Sequence, residues 1–405
     1  MSRLNELIQE LCPNGVEHKT LSELFNTRNG YTPSRSNQEF WTNGTIPWFR
    51  MEDIRENGRI LSEATQYVSE SAVKGNPFPA NSIIVATSAT IGEHALITVP
   101  SLANQRFTYL MLKDQYKDMF DAKFLYYYCF KLDIYCKECL NQGNFASVDM
   151  KKFAKFEFPL VPLEVQREIV RILDNFTELT AELTAELTAR KKQYEYYRNK
   201  LLSFSMLNKS GGVILFKKLR EIAEYSHKRI NAAAMKKANY VGVDNLLQNR
   251  AGKVGSNYVP TKGNLTAYVV GDVLIGNIRP YLKKIWLAYN EGGASGDVLV
   301  IHLTDQSVDV KYLYQVLADD KFFNYNMQFA KGAKMPRGSK QKIMDYIIPV
   351  PSLEEQRRIV SILDKFDMLT TSISEGLPKE IELRRKQYEY YRNQLLSFPD
   401  NKATA

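Results

Sequence analysis

The sequence LEVQREIVRILDNF at residues 163–176 returns as LEEQRRIVSILDKF at residues 353–366. A second run, KQYEYYRN, stands at 192–199 and again at 386–393, and each copy continues to LLSF after one intervening residue. Two matches in the same order are far beyond chance, and an internal repeat of this kind indicates a duplicated structural unit. The chain therefore contains one element twice.

Both copies predict long helices. Apolar residues recur at steps of three and four, which places them along one face of a helix. Because the two apolar faces are equally long, we predict that the helices pack on each other; packing of each helix on its own domain alone is the alternative. The residues predicted to pair the helices are Ile169, Leu173, Phe176, Leu183, Leu187, Tyr194, Tyr197 and Leu201 in the first copy, and Ile359, Leu363, Phe366, Tyr388, Tyr391 and Leu395 in the second.

The two copies differ in their middle parts. Gly376 and Pro378 interrupt the second copy, and an interior proline costs a helix about 3 kcal/mol. We therefore expect a break near Glu375 and a restart with Pro378 in the first turn. The first copy instead contains Thr-Ala-Glu-Leu twice in succession, at 180–187. Each tetrad lengthens a helix by about 6 Å and returns Leu to nearly the same face. This pattern predicts a spacer of adjustable length, with coincidental repetition in a coiled coil as the alternative.

The regions between the repeats correspond only loosely. Lys19–Leu24 resembles Lys217–Ile222, and the apolar runs Ser82–Val85 and Asp272–Ile275 are both typical of strands in the core of a sheet. The repeats thus divide the chain into four parts, namely a variable domain at 1–158, a helix at 159–208, a second variable domain at 209–348 and a second helix at 349–405.

Composition and charge narrow the class of protein. The 405 residues are 44% hydrophobic and 24% charged, the balance of a folded protein with two or three domains. No apolar run approaches the roughly 18 residues of a membrane span, the N-terminus lacks a signal peptide, and four cysteines are too few for a disulfide scaffold, so we expect a cytoplasmic protein.

The net charge of +9 is unevenly distributed along the sequence: residues 224–284 hold ten Lys and Arg against three Asp and Glu, and residues 321–345 hold six against one. These clusters favour nucleic acid, although a basic surface without a partner remains an alternative.

The motifs of DNA-modifying enzymes are missing from the sequence. There is no Gly-x-Gly-x-x-Gly and no phosphate-binding loop. Asn76-Pro77-Phe78 comes nearest to the Asn/Asp-Pro-Pro-aromatic tetrapeptide of amino-methyltransferases, but it lacks the second proline. Cys136 and Cys139 form a lone Cys-x-x-Cys without the second pair that zinc needs, and we predict that both thiols face the core. We expect no catalytic residue, metal or cofactor on this chain.

Residues suited to DNA recognition cluster beside the predicted strands. Arg and Lys recognise guanine and Asn and Gln recognise adenine, whereas Ser, Thr and Lys hold phosphates. In the first domain the candidates are Arg28, Asn29, Tyr31, Thr32, Ser34, Arg35, Thr87, Ser88, Gln105 and Arg106. In the second domain they are His227, Lys228, Arg229, Asn277, Arg279, Tyr281, Lys283 and Lys284, together with Lys334, Arg337 and Lys340 of a basic loop predicted to hold phosphates.

The pattern Pro-x-x-x-Leu-Glu-x-Gln-Arg-x-Ile-Val-x-Ile-Leu-Asp at 159–174 and 349–364 resembles the specificity subunit of type I restriction-modification systems. The closing Tyr-Glu-Tyr-Tyr-Arg-Asn and the tetrads resemble its IC subclass. The resemblance implies an α+β fold, in which two mixed α/β target-recognition domains are separated by two long helices that form an antiparallel coiled coil with an internal pseudo-two-fold repeat.

The same resemblance implies the function. Each domain would recognise one half of a bipartite, asymmetric site in double-stranded DNA, and the helices would set the spacing and dock two modification subunits. Restriction (translocase) subunits would join the full complex. S-adenosylmethionine, ATP and Mg would be used by those partners, with no catalytic residue on this chain and no membrane involved. A non-catalytic helical scaffold or adaptor for protein partners is the alternative function.

Overall fold

The computed structural model of the chain describes residues 2–141, 146–203, 213–371, 376–399 and 401. The chain forms two compact units: the first contains 1–179 with 384–405, and the second contains 180–383. Each unit thus combines one variable domain with parts of the two repeated elements. Within the described ranges, no helix is long and apolar enough to cross a membrane.

The repeated elements are helical. The first forms one helix, Leu163–Leu201, which we call the central helix. The second forms Leu353–Thr371 and then Leu377–Leu395, the two C-terminal helices. The predicted restart is confirmed, because Gly376 is a bend and Pro378 lies in the first turn of the last helix. The predicted break point, Glu375, lies outside the described residues, as does 204–208 at the end of the predicted first spacer.

The first domain is built on a five-stranded sheet. Its strands lie in the order Phe25–Asn29, Phe107–Leu112, Ser82–Ala86, His94–Ile97 and Ile60–Leu61. A three-stranded sheet follows the order Tyr67–Val68, Ile46–Phe49 and Leu102–Ala103, and His18–Thr20 pairs with Glu157–Pro159. The α-helices of this domain are Ser2–Leu11, Leu21–Leu24, Met51–Asn57, Ala122–Glu138 and Met150–Phe153.

The second domain also has two sheets and a separate strand pair, but its sheets have four strands each. A four-stranded sheet has the order Ala223–Tyr225, Val298–Leu303, Val273–Gly276 and Ile285–Leu287. A second has the order Arg229–Asn231, Asn264–Tyr268, Gly292–Ala294 and Tyr240–Val241, and Leu215–Lys218 pairs with Ile347–Val350. The α-helices are Leu219–Ile222, Val310–Leu317, Asp320–Gln328 and Lys340–Met344.

We call the five-stranded sheet of the first domain and the four-stranded sheet that contains Val273–Gly276 the main sheets. One inner strand of each main sheet, Ser82–Ala86 and Val273–Gly276, is buried on both faces. In Ser82–Ala86, Ile83 and Val85 join one hydrophobic cluster whereas Ile84 joins another, as the alternation of side chains along a strand requires. Val273 and Leu274 divide in the same way between the two clusters of the second domain. The two apolar runs are therefore core strands, as predicted.

A buried glutamine fastens the central helix to the first domain. The side-chain Oε1 of Gln166 accepts a hydrogen bond from the Asp121 amide (2.8 Å), while Nε2 donates to the carbonyl oxygens of Met119 (2.8 Å) and Val161 (2.6 Å). Nearby, the Lys123 ammonium lies 2.6 Å from the Asp174 carboxylate. The glutamine of the repeated motif therefore satisfies three backbone groups at the foot of the helix.

The second domain contains the same arrangement. Gln356 accepts from the Asp309 amide (2.8 Å) and donates to the carbonyl oxygens of Ser307 (2.9 Å) and Pro351 (2.8 Å). A lysine and an aspartate, Lys311 and Asp364, again lie 2.6 Å apart. The internal repeat thus extends from sequence to hydrogen-bond geometry.

The two repeated elements also pack on each other through aromatic pairs. In the first unit, Phe176 of the central helix stacks on Tyr391 of the last helix, with ring centroids 5.5 Å apart. In the second unit, Tyr197 of the central helix stacks on Phe366, with centroids 5.3 Å apart. The start of one element therefore contacts the end of the other in each unit, which is the order of an antiparallel pair, and the predicted fold class is confirmed.

The remaining pairing residues lie at different depths. Ile169 and Leu173 are fully buried in the core of the first domain together with Leu395. In the second unit, Ile359, Leu363, Tyr194 and Leu201 are buried in one cluster. The start of each repeated element thus packs in the core of the domain that precedes it, and the end of the other element packs in the same core. Leu183 and Leu187 of the tetrads are half-buried, and Tyr388 packs against the first core.

The thiols face the core, as predicted. Cys136 and Cys139 are both buried and are free of disulfides. Burial raises the pKa of Cys136 to about 12, which keeps this thiol protonated at neutral pH. Among the described residues, no group of three or more His, Cys, Asp and Glu side chains could hold a metal ion.

Candidate nucleic-acid interface

Three loops meet at one end of the main sheet in the first domain. The register pairs Asn29 with Thr108 and Ala86 with Phe107, so the strands that end at Asn29 and Ala86 finish beside the strand that begins at Phe107. The segments 30–36, 87–90 and 104–106 consequently leave the sheet at the same end. We call this end the loop edge of the domain.

The second domain has the equivalent edge. Tyr225 pairs with Ile301 and Gly276 pairs with Val298, so the loops after Tyr225 and Gly276 lie beside the start of the strand Val298–Leu303. Segment 331–338 joins them through a bridge between Ile278 and Arg337. The structure therefore brings the candidates from distant parts of the sequence to one edge in each domain.

At the first loop edge, several candidates hold one another in place. The Thr32 hydroxyl donates to the Gln105 side chain (2.5 Å), and Asn29 accepts a hydrogen bond from Thr108 (2.8 Å). The Arg35 guanidinium lies 3.7 Å from the ring centroid of Trp41, a cation–π contact that fixes a planar cation near the surface. These contacts limit the freedom that the side chains would lose on binding a ligand.

Other first-domain candidates lie around this group. Arg28 donates to the carbonyl oxygen of Lys74 (3.3 Å), and the Tyr31 hydroxyl accepts from the Lys74 amide (2.7 Å). The Thr87 and Ser88 side chains are half-buried, whereas Ser34 and Arg106 are exposed. Arg106 thus presents its guanidinium to solvent at the loop edge.

The second loop edge is more basic. His227, Lys228 and Arg229 are exposed, and Arg229 donates to the Thr266 hydroxyl (2.9 Å). The other exposed candidates are Arg279, Tyr281, Lys334, Arg337 and Lys340. Arg337 lies 3.2 Å from the Asp297 carboxylate, and surface ion pairs of this kind contribute little stability, so the guanidinium can exchange partners at small cost.

Three second-domain candidates are directed toward the protein instead. Asn277 is buried, and Lys284 is buried with its ammonium donating to the carbonyl oxygen of Val243 (2.6 Å). Lys283 forms an ion pair with Asp320 (2.7 Å). Burial and the nearby Arg250 lower the pKa of Lys283. In this arrangement the two ammonium groups are held by oxygen atoms of the protein, and the Asn277 side chain is enclosed.

The sequence reasoning missed the residues that fix each helix on its domain. Gln166 and Gln356 belong to the repeated Leu-Glu-x-Gln-Arg motif, but each fixes its helix by bonding to an aspartate far away in sequence, Asp121 or Asp309. A signal was present: DAKFLY at 121–126 recurs as DVKYLY at 309–314. Both aspartates cap a helix, and both lysines reach the repeated element.

A comparison with known protein families identifies the family of this chain. The type I restriction modification DNA specificity domain matches residues 13–190 and matches again at residues 214–383. The chain belongs to this family. The two matches cover most of the chain and fall one on each variable domain with its following helix, so the resemblance inferred from the repeated motifs is confirmed.

Individual specificity subunits are similar over long stretches. The chain is 44% identical over 402 residues to the type I restriction enzyme EcoprrI specificity subunit of Escherichia coli, covering 93% of each protein. It is 35% identical over 270 residues to the EcoR124I/EcoR124II specificity subunit of Escherichia coli, covering 60% of this chain and 61% of that one.

Solved structures of the type I specificity family have the same fold. A crystal structure of the S subunit from M. genitalium superimposes with a TM-score of 0.51 at 16% identity, covering 95% of this chain and 96% of that one. A chain from a study of complex assembly and conformational transition of the type I R-M system gives a TM-score of 0.57 at 13% identity, covering 94% and 97%. At such low identity the likeness concerns the fold alone.

Proposed function

We propose that this chain is the non-catalytic DNA sequence-recognition subunit of a type I restriction-modification complex. Each variable domain recognises one half of a bipartite, asymmetric site in double-stranded DNA. The observation that carries this proposal is the double match to a DNA specificity domain, with one loop edge in each matched region.

The proposal assigns the DNA contacts to the loop edges. The exposed Arg106 of the first domain and the exposed Arg279 of the second are the side chains best suited to bidentate contact with guanine. Lys334, Arg337 and Lys340 hold phosphates, because all three are exposed and Arg337 can exchange its surface ion pair with Asp297 for a phosphate at small cost. The other candidates at the loop edges position these side chains or contact the sugar-phosphate backbone of the DNA.

The proposal also covers the assembly. The domains at 1–158 and 209–348 recognise DNA, and the elements at 159–208 and 349–405 separate them and dock two modification subunits. Those subunits bring S-adenosylmethionine, and restriction subunits that use ATP and Mg join the full complex. Support comes from the repeat: because each domain is followed by the same helical motif with the same buried glutamine, a partner can bind twice in the same way.

The test is methylation of a library of DNA sites by the complex assembled with its modification subunits. Arg279→Ala relaxes base preference in one half-site by about 1–3 kcal/mol, the value of one bidentate contact, and Arg106→Ala does the same in the other. Unchanged preferences in both variants contradict this assignment of contacts. Assembly with modification subunits but no sequence preference would instead support a scaffold.

A further inference from the structure

The loop after the core strand of the first domain is held by backbone hydrogen bonds on both sides. The amide of Thr87 donates to the carbonyl oxygen of Arg106 (3.0 Å), and the carbonyl oxygen of Thr87 accepts from the amide of Val148 (2.9 Å). The next residue, Ser88, forms a bridge with Ser147. The loop is thus fixed between the start of a neighbouring strand and the segment that leads to the central helix.

The second domain repeats this arrangement of two backbone hydrogen bonds and a bridge, which we call the frame, residue by residue. The amide of Asn277 donates to the carbonyl oxygen of Asp297 (2.8 Å), and its carbonyl oxygen accepts from the amide of Gly338 (3.2 Å). The next residue, Ile278, forms a bridge with Arg337. Since the loop sequences differ completely, the frame is a property of the fold and not of one loop.

The residue that follows in each frame has left-handed backbone geometry. Ala89 has φ of 65° and Arg279 has φ of 53°. This region is costly for residues with a β-carbon, and Arg279 also precedes Pro280, which further favours an extended conformation. The amide of Arg279 donates to the carbonyl oxygen of Pro336 (2.7 Å), which helps to hold it there. Such strain persists where the surroundings over-determine it, and it concentrates at functional sites.

We propose that this left-handed position determines one base in each half-site. Arg279 and Ala89 are both exposed at their loop edges, so each side chain leaves the same frame toward solvent. Arg279 carries donors that match guanine, whereas the methyl group of Ala89 offers only apolar contact, of the kind made with the thymine methyl. The position is therefore exchangeable, and a change at Ala89 alters the first half-site alone. This inference rests on the proposed function of the loop edges.

The experiment uses the full chain assembled with its modification subunits, a library of sites randomised in both half-sites, and the variants Ala89→Arg and Arg279→Gly. Asn81→Arg is the matched control, because Asn81 is exposed and left-handed (φ of 61°) but lies at the other end of the same core strand. Thermal unfolding verifies that each variant is folded.

Ala89→Arg should change the preference at one position of the first half-site by about 5- to 150-fold and leave the second unchanged. Arg279→Gly, which keeps the backbone geometry, should lose preference at one position of the second half-site. Asn81→Arg should change neither. A folded Ala89→Arg complex whose preferences stay within about twofold of the parent, far below one bidentate contact, overturns the inference. If the parent complex has no bipartite preference, the proposed function itself fails.

Discussion

The spacer prediction follows from the local structure of the tetrads. Thr180–Leu187 lies within the continuous central helix, where the Thr184 hydroxyl donates to the carbonyl oxygen of Thr180 (2.7 Å) and the Thr188 hydroxyl donates to that of Thr184 (3.0 Å). Leu183 and Leu187 are both half-buried. A third Thr-Ala-Glu-Leu inserted after Leu187 can therefore make the same contacts, and we expect a folded variant.

Helix geometry gives the size of the effect. Four residues at 1.5 Å each lengthen the helix by about 6 Å and turn it by about 40° beyond a full turn. Base pairs lie about 3.4 Å apart along DNA, so complete transmission along the duplex axis would add nearly two base pairs. The helix is not required to run parallel to the duplex, and the C-terminal helices keep their length. We therefore expect the spacer between the half-sites to grow by one base pair.

The assay maps methylated sites for complexes with one, two and three tetrads. The bases of both half-sites should stay the same, because the insertion touches no loop edge. A variant with Thr180→Ala and Thr184→Ala is the matched control: it alters the tetrads without changing their length and should keep the parental spacer. A spacer that is independent of tetrad number would refute the reasoning.

Two further predictions concern the helix attachment and the basic loop. Gln166→Ala removes the three hydrogen bonds of a buried side chain and leaves backbone groups unpaired, so the free energy of unfolding in urea should fall by about 2–5 kcal/mol. Gln356→Ala should have the same effect. Gln193→Ala, at a half-buried position of the central helix, should change the free energy of unfolding little, and equal losses in all three variants would argue against a specific role for the motif glutamines. DNA binding by the assembled complex should weaken steeply as the salt concentration rises. Lys334→Ala or Lys340→Ala should lower the affinity for all DNA sequences alike and should reduce the slope of log affinity against log salt concentration by about 0.9 per lost phosphate contact. A loss of affinity confined to one sequence would show that these lysines contact bases.

The helical part of the fold could be predicted in detail because it depends on local periodicity. The steps of three and four identified both repeated elements, and proline chemistry located the restart at Leu377–Leu395. The core strands at 82–86 and 273–276 were also recognisable, since strands buried on both faces are continuously apolar. The helices and the core strands could be predicted because each depends on residues that are close together in the sequence.

The loop edges could be predicted only as sets of suitable residue types. Lys284 has the charge of a phosphate contact, yet its ammonium binds the carbonyl oxygen of Val243, 41 residues away in sequence. Likewise, two of the three hydrogen bonds of Gln166 join it to Met119 and Asp121, far away in sequence, and the loop that contains the left-handed Ala89 is bonded to the distant residues Arg106 and Val148. Whether a polar side chain faces solvent depends on contacts between segments that are distant in sequence, so a local sequence pattern does not predict it.

The central claim is that the two domains recognise DNA independently. It is tested most directly by exchanging residues 15–158 for the equivalent region of another type I specificity subunit and mapping the methylated sites of the hybrid complex. The hybrid should keep one half-site and the spacer of the parent and acquire a new sequence in the other half-site. A hybrid that is folded and active but changes both half-sites, or neither, would contradict the account.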